Sequence, residues 1–132
     1  MMDRLYLIDA SGYIFRAYYA VRRLTNSKGL PTNALYGFTT MLMKLIREEK
    51  PDHIACVFDV ARKTFRNEKF EAYKANRDEA PDDLIPQFPY FRKIVKALNL
   101  PCLELPNYEA DDVIGTIAKK MARRKLETVI VT

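Results

Sequence analysis

The chain has 132 residues, which is enough for one domain with a sizeable hydrophobic core but too few for two. Hydrophobic residues make up 48% and charged residues 30%, as in soluble globular proteins, and no apolar run reaches the roughly 20 residues of a membrane span. The net charge of +5 favours a polyanionic partner, and two cysteines with one histidine exclude a clustered zinc site. No signal-peptide pattern begins the chain, so we expect a cytoplasmic protein in which Cys56 and Cys102 are buried, reduced thiols.

The first half of the chain alternates between strands and helices. Its apolar patterns predict, in order, a strand over 5–8, a helix over 13–21, a loop over 25–31, a helix over 34–49 and a strand over 54–58. Asp9 and Asp59 each follow directly after one of these strands. Asn33 is the predicted N-cap of the longer helix, and Pro51 follows its end.

The second half continues the same alternation. After a polar, basic stretch over 60–80, the patterns predict a helix over 81–98, a strand over 102–105, a helix over 108–124 and a strand over 128–131. Pro86 and Pro89 fall early in the first of these helices and make its first turns irregular. Apolar strands alternating with helices predict a single α/β domain with a parallel sheet that is covered by helices on both faces.

The notable carboxylates follow strands and should share one edge of this sheet. Asp9 and Asp59 follow the first two strands, and the other three open the helix after the third strand: Glu109, Asp111 and Asp112. Like charges brought together raise each other's pKa values unless a cation is present, and hard divalent cations prefer oxygen ligands. The set therefore predicts a divalent-metal site, whose expected chemistry is hydrolysis of a phosphodiester.

Each carboxylate also has an ordinary structural explanation. Asp9 is placed to cap the helix after the first strand, and the acidic residues at 109–112 suit the positive N-terminal end of their helix. The four glycines form neither a dinucleotide-binding motif nor a P-loop, which disfavours a Rossmann nucleotide site and a P-loop NTPase. Ser11 does not lie in a nucleophile-elbow sequence, so a serine hydrolase is also disfavoured.

Two groups mix basic and aromatic residues close to these carboxylates. The group after Asp59 contains Phe65, Arg66, Tyr73, Lys74 and Arg77 at roughly helical spacing. Its cations are candidates to hold the scissile phosphate, and its aromatic rings are candidates to stack on bases. The group after Asp9 contains Arg16, Tyr18, Tyr19, Arg22 and Arg23 as further candidate nucleic-acid contacts. For both groups the alternative is a solvated helix whose aromatic residues pack in the core.

Seven short segments in this order resemble one family. They are Leu7-Ile8-Asp9-Ala10-Ser11, Phe15-Arg16-Ala17-Tyr18, Ala34-Leu35-Tyr36-Gly37-Phe38, Val57-Phe58-Asp59, Thr64-Phe65-Arg66, Tyr73-Lys74-Ala75-Asn76-Arg77 and Tyr108-Glu109-Ala110-Asp111-Asp112. They resemble the 5′-nuclease (5′-3′ exonuclease) domain at the N-terminus of bacterial DNA polymerase I, which is related to flap endonucleases. The resemblance covers the whole chain, and the Tyr-Lys-x-Asn-Arg and Tyr-Glu-Ala-Asp-Asp segments are specific to it.

The resemblance implies a PIN-like α/β nuclease fold. Residues 1–132 would be the N-terminal portion of a 5′-3′ exonuclease domain, with a helical arch over about 60–80. The five carboxylates would bind Mg²⁺ or Mn²⁺, and Arg66, Lys74 and Arg77 would lie on the basic side of the arch near the scissile phosphate. The implied reaction is exo- and endonucleolytic hydrolysis of DNA at 5′ flaps, nicks and primer–template junctions, with RNA primers as a further candidate substrate. We expect a monomer without a membrane partner.

The resemblance also implies features that these residues do not include. After the strand at 129–132, the family has a Gly-Asp-Lys-Asp type segment that completes a second metal site, and then a helix–hairpin–helix-like module that grips the duplex. Neither is present in the sequence, so we expect a fragment of a longer protein that is inactive alone. The alternatives are a non-catalytic DNA-binding fragment and a PIN-type ribonuclease, and the arch-like stretch argues against the ribonuclease.

Overall fold

The computed structural model describes residues 3–59, 80–104 and 108–132, which form alternating strands and helices. In chain order the elements are β1 (Arg4–Asp9), α1 (Ala10–Ala20), α2 (Asn33–Glu49), β2 (His53–Val57), a short 3₁₀ helix (Ile85–Gln87), α3 (Phe88–Ala97), β3 (Cys102–Leu103), α4 (Ala110–Arg123) and β4 (Glu127–Val131). The four strands form one parallel sheet in the order β3-β2-β1-β4, so the predicted α/β class is confirmed. No helix in these three ranges is long and apolar enough to cross a membrane.

β1 is a central strand and is buried on both faces. Its residues from Leu5 to Ile8 are all buried, which is why the sequence shows a continuous apolar run there and not an alternating one. Ile8 pairs in register with Cys56 on β2. Because the strands are parallel, the residues that follow them, including Asp59, meet at one edge, which we call the carboxyl edge. The opposite edge, where the strands begin, is the amino edge.

Two hydrophobic clusters cover the sheet, one on each face. Helices α1, α2 and α3 cover the first face, where Phe38 and Phe91 pack edge to face with ring centroids 5.1 Å apart. Helix α4 covers the second face, and its Val113 and Ile114 pack with Leu7 of β1. Full burial of side chains of this size stabilises the fold by about 1.5–3 kcal/mol each.

Helices α1 and α2 pack closely because α2 has a glycine where they meet. A Cβ atom on Gly37 would lie 2.9 Å from Cβ of Ala17 and 2.9 Å from Cγ2 of Val21. Interiors of proteins are too densely packed to absorb such an overlap without moving the helices. The position of α1, and of the residues at its start, therefore depends on Gly37.

The predicted N-cap role of Asn33 is wrong. Thr32 takes the N-cap position, and Asn33 is the first residue of α2 with its side chain buried. The Asn33 amide donates to the carbonyl oxygens of Tyr18 and Val21 at 3.2 and 3.3 Å, and its Oδ1 accepts a hydrogen bond from Gln87 Nε2 at 3.0 Å. Because a buried amide needs partners, Asn33 ties the end of α1 to the segment before α3.

Other details also differ from the predictions. Helix α1 begins at Ala10, three residues earlier than predicted, because Asp9 already takes the N-cap position as the strand ends. Helix α4 begins at Ala110, two residues later than predicted, and β3 ends at Leu103, while residue 105 lies outside the described residues. Tyr19, weighed as a core residue, is 74% exposed.

Both cysteines are free thiols, as predicted, but they differ in burial. Cys56 is buried and Cys102 is only half-buried, so the predicted burial is met in full by Cys56 alone. Burial raises the pKa of the Cys56 thiol to about 12. A thiol with such a pKa stays protonated at neutral pH and behaves as a small apolar side chain.

At the amino edge, charged and polar groups pair with one another. The guanidinium of Arg4 donates to the carbonyl oxygen of Glu49 at 2.7 Å and to the Tyr6 hydroxyl at 2.9 Å. The Tyr6 hydroxyl donates to Glu49 Oε2 at 3.3 Å, and Asp52 Oδ2 accepts the backbone N–H of Arg4 at 2.8 Å. These bonds supply a partner to a carbonyl group at the end of α2, where helical carbonyls lack partners within the helix.

Candidate metal centre at the carboxyl edge

Asp9 is the last residue of β1 and lies at the N-cap of α1. Its side chain makes no capping hydrogen bond, and its buried Oδ1 atom has no hydrogen-bond partner among the described residues. Burial is the main cause that raises the pKa of Asp9; the backbone N–H of Gly12 lowers it, and the charges of Asp111 and Asp59 raise it further. A buried carboxylate oxygen without a donor is costly, so this position suits a cation.

Asp59 lies two residues beyond β2 and is held by both neighbouring helices. The hydroxyl of Ser11, in the first turn of α1, donates to Asp59 Oδ2 at 2.6 Å. The backbone N–H of Ala110, at the start of α4, donates to Asp59 Oδ1 at 2.6 Å. Hydrogen bonds to a carboxylate are short and strong, so together they fix its orientation. The sequence draws attention to Ser11 only as a nucleophile, because its partner is 48 residues away.

The three acidic residues of the third group begin α4. Glu109 is the N-cap residue, and Asp112 Oδ2 accepts its backbone N–H at 3.2 Å as part of a reciprocal capping box. Asp111 is exposed in the first turn, close enough to Asp9 to raise the pKa of that residue. The helix-capping explanation therefore holds for Glu109 and Asp112 in this structure, whereas the charge of Asp111 acts on Asp9 at the carboxyl edge.

These acidic residues lie at the carboxyl edge, but their side chains do not converge on one point. In residues 3–59, 80–104 and 108–132, no group of three or more Asp, Glu, His or Cys side chains has the geometry to hold a metal ion. Like charges repel, and Asp59 and Asp112 instead accept hydrogen bonds from neutral donors. The acidic side chains nevertheless offer only oxygen atoms as metal ligands, and Asp9 has a buried oxygen without a hydrogen-bond partner in the described ranges. The residues therefore fit a hard divalent cation such as Mg²⁺.

Arg92 on α3 is a carboxyl-edge residue that the sequence does not single out. Its guanidinium donates to the main-chain oxygen of Asp59 and to Glu104 Oε2, both at 2.9 Å. It also packs over the ring of Phe58, 4.7 Å from the centroid. The two hydrogen-bond partners are 33 and 12 residues away, so only the packing of α3 beside β2 and β3 brings them together.

The structure places only some of the predicted DNA contacts. Arg16 is exposed at the carboxyl edge, and its guanidinium donates to the main-chain oxygen of Thr132 after β4. Tyr18 is half-buried and its hydroxyl donates to Asp83 Oδ1 at 2.6 Å, while Arg22 is exposed just after α1. The predicted arch over 60–80 lies outside the described residues, apart from Ala80. The same holds for its candidate contacts Phe65, Arg66, Tyr73, Lys74 and Arg77.

An open cleft of about 690 Å³ lies beside Arg16. It is lined by residues from α1 and α2: Gly12, Phe15, Arg16, Tyr19, Ala20 and Met41. The exposed Tyr19 ring packs edge to face with Tyr18, with centroids 5.0 Å apart. An exposed aromatic ring beside a cation is suited to contact a base and its phosphate, so the cleft makes part of the group on α1 available to a ligand.

The sheet order and its acidic edge define a parallel α/β domain in which the strand ends carry a candidate divalent-metal site. Residues 4–132 match the family described as the 5′-3′ exonuclease, N-terminal resolvase-like domain. The chain belongs to this family, as its sequence motifs predict.

Curated relatives are longer than this chain. The chain is 44% identical over its full length to DNA polymerase I of Bacillus caldotenax and spans 15% of that protein. It is 43% identical, over 98% of its length, to a 5′-3′ exonuclease of Aquifex aeolicus and spans 45% of that protein. The chain therefore spans less than half of either relative.

Solved structures of bacteriophage T5 proteins have a similar fold. One protein co-crystallised with metal ions matches 96% of this chain and 48% of its own, with a TM-score of 0.67 and 20% identity. A flap endonuclease in a complex with DNA and metal ions matches 96% of this chain and 47% of its own, with a TM-score of 0.62 and 19% identity. These matches confirm the predicted PIN-like 5′-nuclease fold.

Proposed function

We propose that residues 1–132 are the N-terminal portion of a metal-dependent 5′-3′ exonuclease and 5′-flap endonuclease domain, which hydrolyses DNA at junctions between single and double strands. Asp9 carries the proposal, because its Oδ1 is buried without a partner in the described residues, beside the charges of Asp111 and Asp59. Such an arrangement is costly unless a cation binds. Membership of the exonuclease family and the metal-bound T5 neighbours support the proposal.

The carboxyl edge supplies the metal ligands. The proposed ligands of Mg²⁺ or Mn²⁺ are its five acidic residues: Asp9, Asp59, Glu109, Asp111 and Asp112. When bound, the metal lowers the pKa of the attacking water and stabilises the leaving oxygen of the phosphodiester. The Ser11 hydroxyl and the Ala110 N–H hold the Asp59 carboxylate in one orientation, so that it does not have to be ordered when the metal binds.

Basic and aromatic residues hold the DNA beside the carboxylates. The proposed contacts with the scissile phosphate are Arg66, Lys74 and Arg77, and the other proposed DNA contacts are Arg16, Tyr18, Arg22, Phe65 and Tyr73. The position of Arg16 at the end of β4 supports this role, because cations near the acidic edge neutralise phosphates. Since Asp83 accepts the Tyr18 hydroxyl and part of the ring packs on the core, the proposed DNA contact of Tyr18 falls to the exposed part of its ring. The roles of residues 65–77 rest on the sequence.

The proposed substrates are 5′ flaps, nicks and primer–template junctions, with RNA primers as a further candidate. A T5 flap endonuclease solved with DNA and metal ions supports the DNA substrate. Because the chain spans 45% of the Aquifex exonuclease, we propose that full activity needs residues beyond these 132. A cytoplasmic location and a monomeric state stay predictions from the sequence.

Cleavage of a 5′-flap DNA in Mg²⁺ tests the proposal, with this chain and with a version extended by its natural continuation. The extended protein should cleave, and Asp111→Asn should abolish cleavage without changing the circular dichroism spectrum. Asp52→Asn, an acidic position at the amino edge, is the matched control and should cleave normally. The nuclease proposal fails if the extended protein does not cleave, and an unfolded Asp111→Asn variant would make Asp111 a structural residue.

The same assay separates the remaining alternatives. Binding of the flap without cleavage by the extended protein would favour a non-catalytic DNA-binding module, and its cleavage of RNA but not DNA would favour a PIN-type ribonuclease. Lys74→Ala should slow DNA cleavage with little loss of metal binding, because its charge is proposed to meet the phosphate. Unchanged cleavage by this variant would reject that role.

A further inference from the structure

Arg92 connects α3 with the ends of two strands. Its guanidinium donates to the main-chain oxygen of Asp59 and to Glu104 Oε2, and it packs over the Phe58 ring. Pairing between β2 and β3 ends where the Phe58 N–H donates to the Leu103 carbonyl at 2.8 Å. Arg92 therefore holds the main chain at Asp59, the residue immediately after this last bond of the ladder.

The carboxylate of Asp59 is held separately from its main chain. Ser11 donates to one carboxylate oxygen and the Ala110 N–H donates to the other, both at 2.6 Å. Three elements, α1, α3 and α4, thus fix a single residue at both its backbone and its side chain. A metal ligand whose backbone and side chain are both held is preorganised, because neither its side-chain torsions nor its backbone has to be ordered when the metal binds.

Arg92 reaches Asp59 without neutralising it. A guanidinium beside a carboxylate ordinarily forms a charge-assisted hydrogen bond with that carboxylate. Arg92 instead donates to the main-chain oxygen of Asp59 and forms its ion pair with the carboxylate of Glu104. The side chains of this pair are 31% and 38% exposed, and exposed ion pairs add little stability. The arrangement therefore leaves the negative charge of Asp59 available to a cation.

We propose that Arg92 is a positioning residue for Asp59, which fixes the main chain so that the carboxylate is held in place for a divalent metal. This inference rests on the proposed function. For the substitution of Arg92 by a neutral residue, it predicts a change in metal affinity that is opposite in sign to the change expected from electrostatics alone. Removing a nearby cation should tighten binding of a metal cation, whereas removing the support of a ligand should weaken it.

Binding of Mn²⁺ to the full chain, followed by water-proton relaxation, separates these two signs. Arg92→Ala should raise the Mn²⁺ dissociation constant by about tenfold. This is the low end of the loss of metal affinity that follows when a residue that orients a metal ligand is removed. Arg92→Lys keeps the charge and one donor, so it should recover part of the affinity. Lys93→Ala is the matched control, since it removes a neighbouring exposed cation that lies over the Tyr90 ring. Arg92→Gln provides a second neutral variant if Arg92→Ala does not fold.

Unchanged or tighter Mn²⁺ binding by a folded Arg92→Ala or Arg92→Gln variant would overturn the proposal. Absence of Mn²⁺ binding by the unsubstituted chain would also overturn it. Flap cleavage by the extended protein keeps the two proposals distinguishable: if Arg92→Ala weakens Mn²⁺ binding but the unsubstituted extended protein does not cut, the positioning role stands and the nuclease proposal fails. Where the extended protein does cut, Arg92→Ala should require more Mn²⁺ while its KM for DNA is unchanged.

Discussion

The two edges of the sheet satisfy their charged groups in different ways. At the amino edge, Arg4 binds the end of α2 and Tyr6, and Asp52 accepts the Arg4 N–H. At the carboxyl edge, Asp9 has a buried oxygen without a partner in the described ranges, and the donors described there for the Asp59 carboxylate are neutral. The contrast indicates that the amino edge is built for stability, whereas the carboxyl edge keeps a costly buried oxygen, as the proposed metal site requires.

The largest effect that separates the edges should come from Asp59→Asn. Asparagine has the same shape and can still accept the Ala110 N–H, so the fold should survive. In the extended protein, loss of a ligand charge should lower single-turnover flap cleavage by more than about a hundredfold, beyond the range typical of residues that only support a ligand. Asp52→Asn, which removes a charge from the amino edge, should leave cleavage unchanged. Equal effects of the two variants would remove the functional distinction between the edges.

Ser11→Ala should have an intermediate effect. It removes the hydroxyl that donates to Asp59 Oδ2 and leaves the Ala110 N–H as the remaining hydrogen bond described for that carboxylate. We expect flap cleavage by the extended protein at limiting Mg²⁺ to fall roughly tenfold and to recover in part at high Mg²⁺. Ser27→Ala, in the exposed loop before α2, is the control. Cleavage at limiting Mg²⁺ that matches the parent would show that Ser11 does not support the site.

Arg4→Met tests whether the amino edge contributes to stability and not to metal binding. Methionine keeps much of the apolar stem but loses the hydrogen bonds to the Glu49 carbonyl and the Tyr6 hydroxyl. We expect a loss of about 1 kcal/mol in the free energy of unfolding, measured by urea denaturation. Affinity for Mn²⁺ should not change, because these contacts are at the far end of the strands. Weaker Mn²⁺ binding would show that the edges are coupled.

The smallest effect should be that of Asp9→Asn on stability without metal, and its sign depends on pH. The pKa of Asp9 is raised in the folded chain above its usual value of 3.8, so its favourable contribution is present below 3.8 and is lost as the pH rises through the folded value. Without metal, the parent chain should therefore lose stability from acid to neutral pH, and Asp9→Asn should lose less. Parallel pH profiles of the unfolding midpoint would contradict the assigned burial of charge at Asp9.

Local patterns in the sequence were sufficient for most of the fold. The apolar run of β1 and the helical spacing of α2 and α3 are local, so periodicity predicts them, and the parallel topology then places Asp9 and Asp59 at one edge. The cap role predicted for Asn33 is wrong because its cap preference is local but its buried partners are not. The arch over 60–80 is not tested by the described residues.

The supports of the site could not be predicted for the same reason. Ser11 and Arg92 act on Asp59 across 48 and 33 residues, and no spacing rule connects positions so far apart. The sequence identifies which residue types suit a metal, but the partners that orient each carboxylate depend on how the helices pack. Family motifs identify the ligands more readily than their supports.

Thermal unfolding of the chain with and without Mg²⁺ tests the metal site most directly. A ligand present at a hundred times its dissociation constant stabilises the folded state by about 2.7 kcal/mol, so the unfolding midpoint should rise by roughly 8 °C. Asp9→Asn should lose most of this rise, because it removes the buried carboxylate that lies beside the charges of Asp111 and Asp59. An unfolding midpoint of the parent chain that does not change with either Mg²⁺ or Mn²⁺ would contradict the assignment of the carboxyl edge as a divalent-metal site.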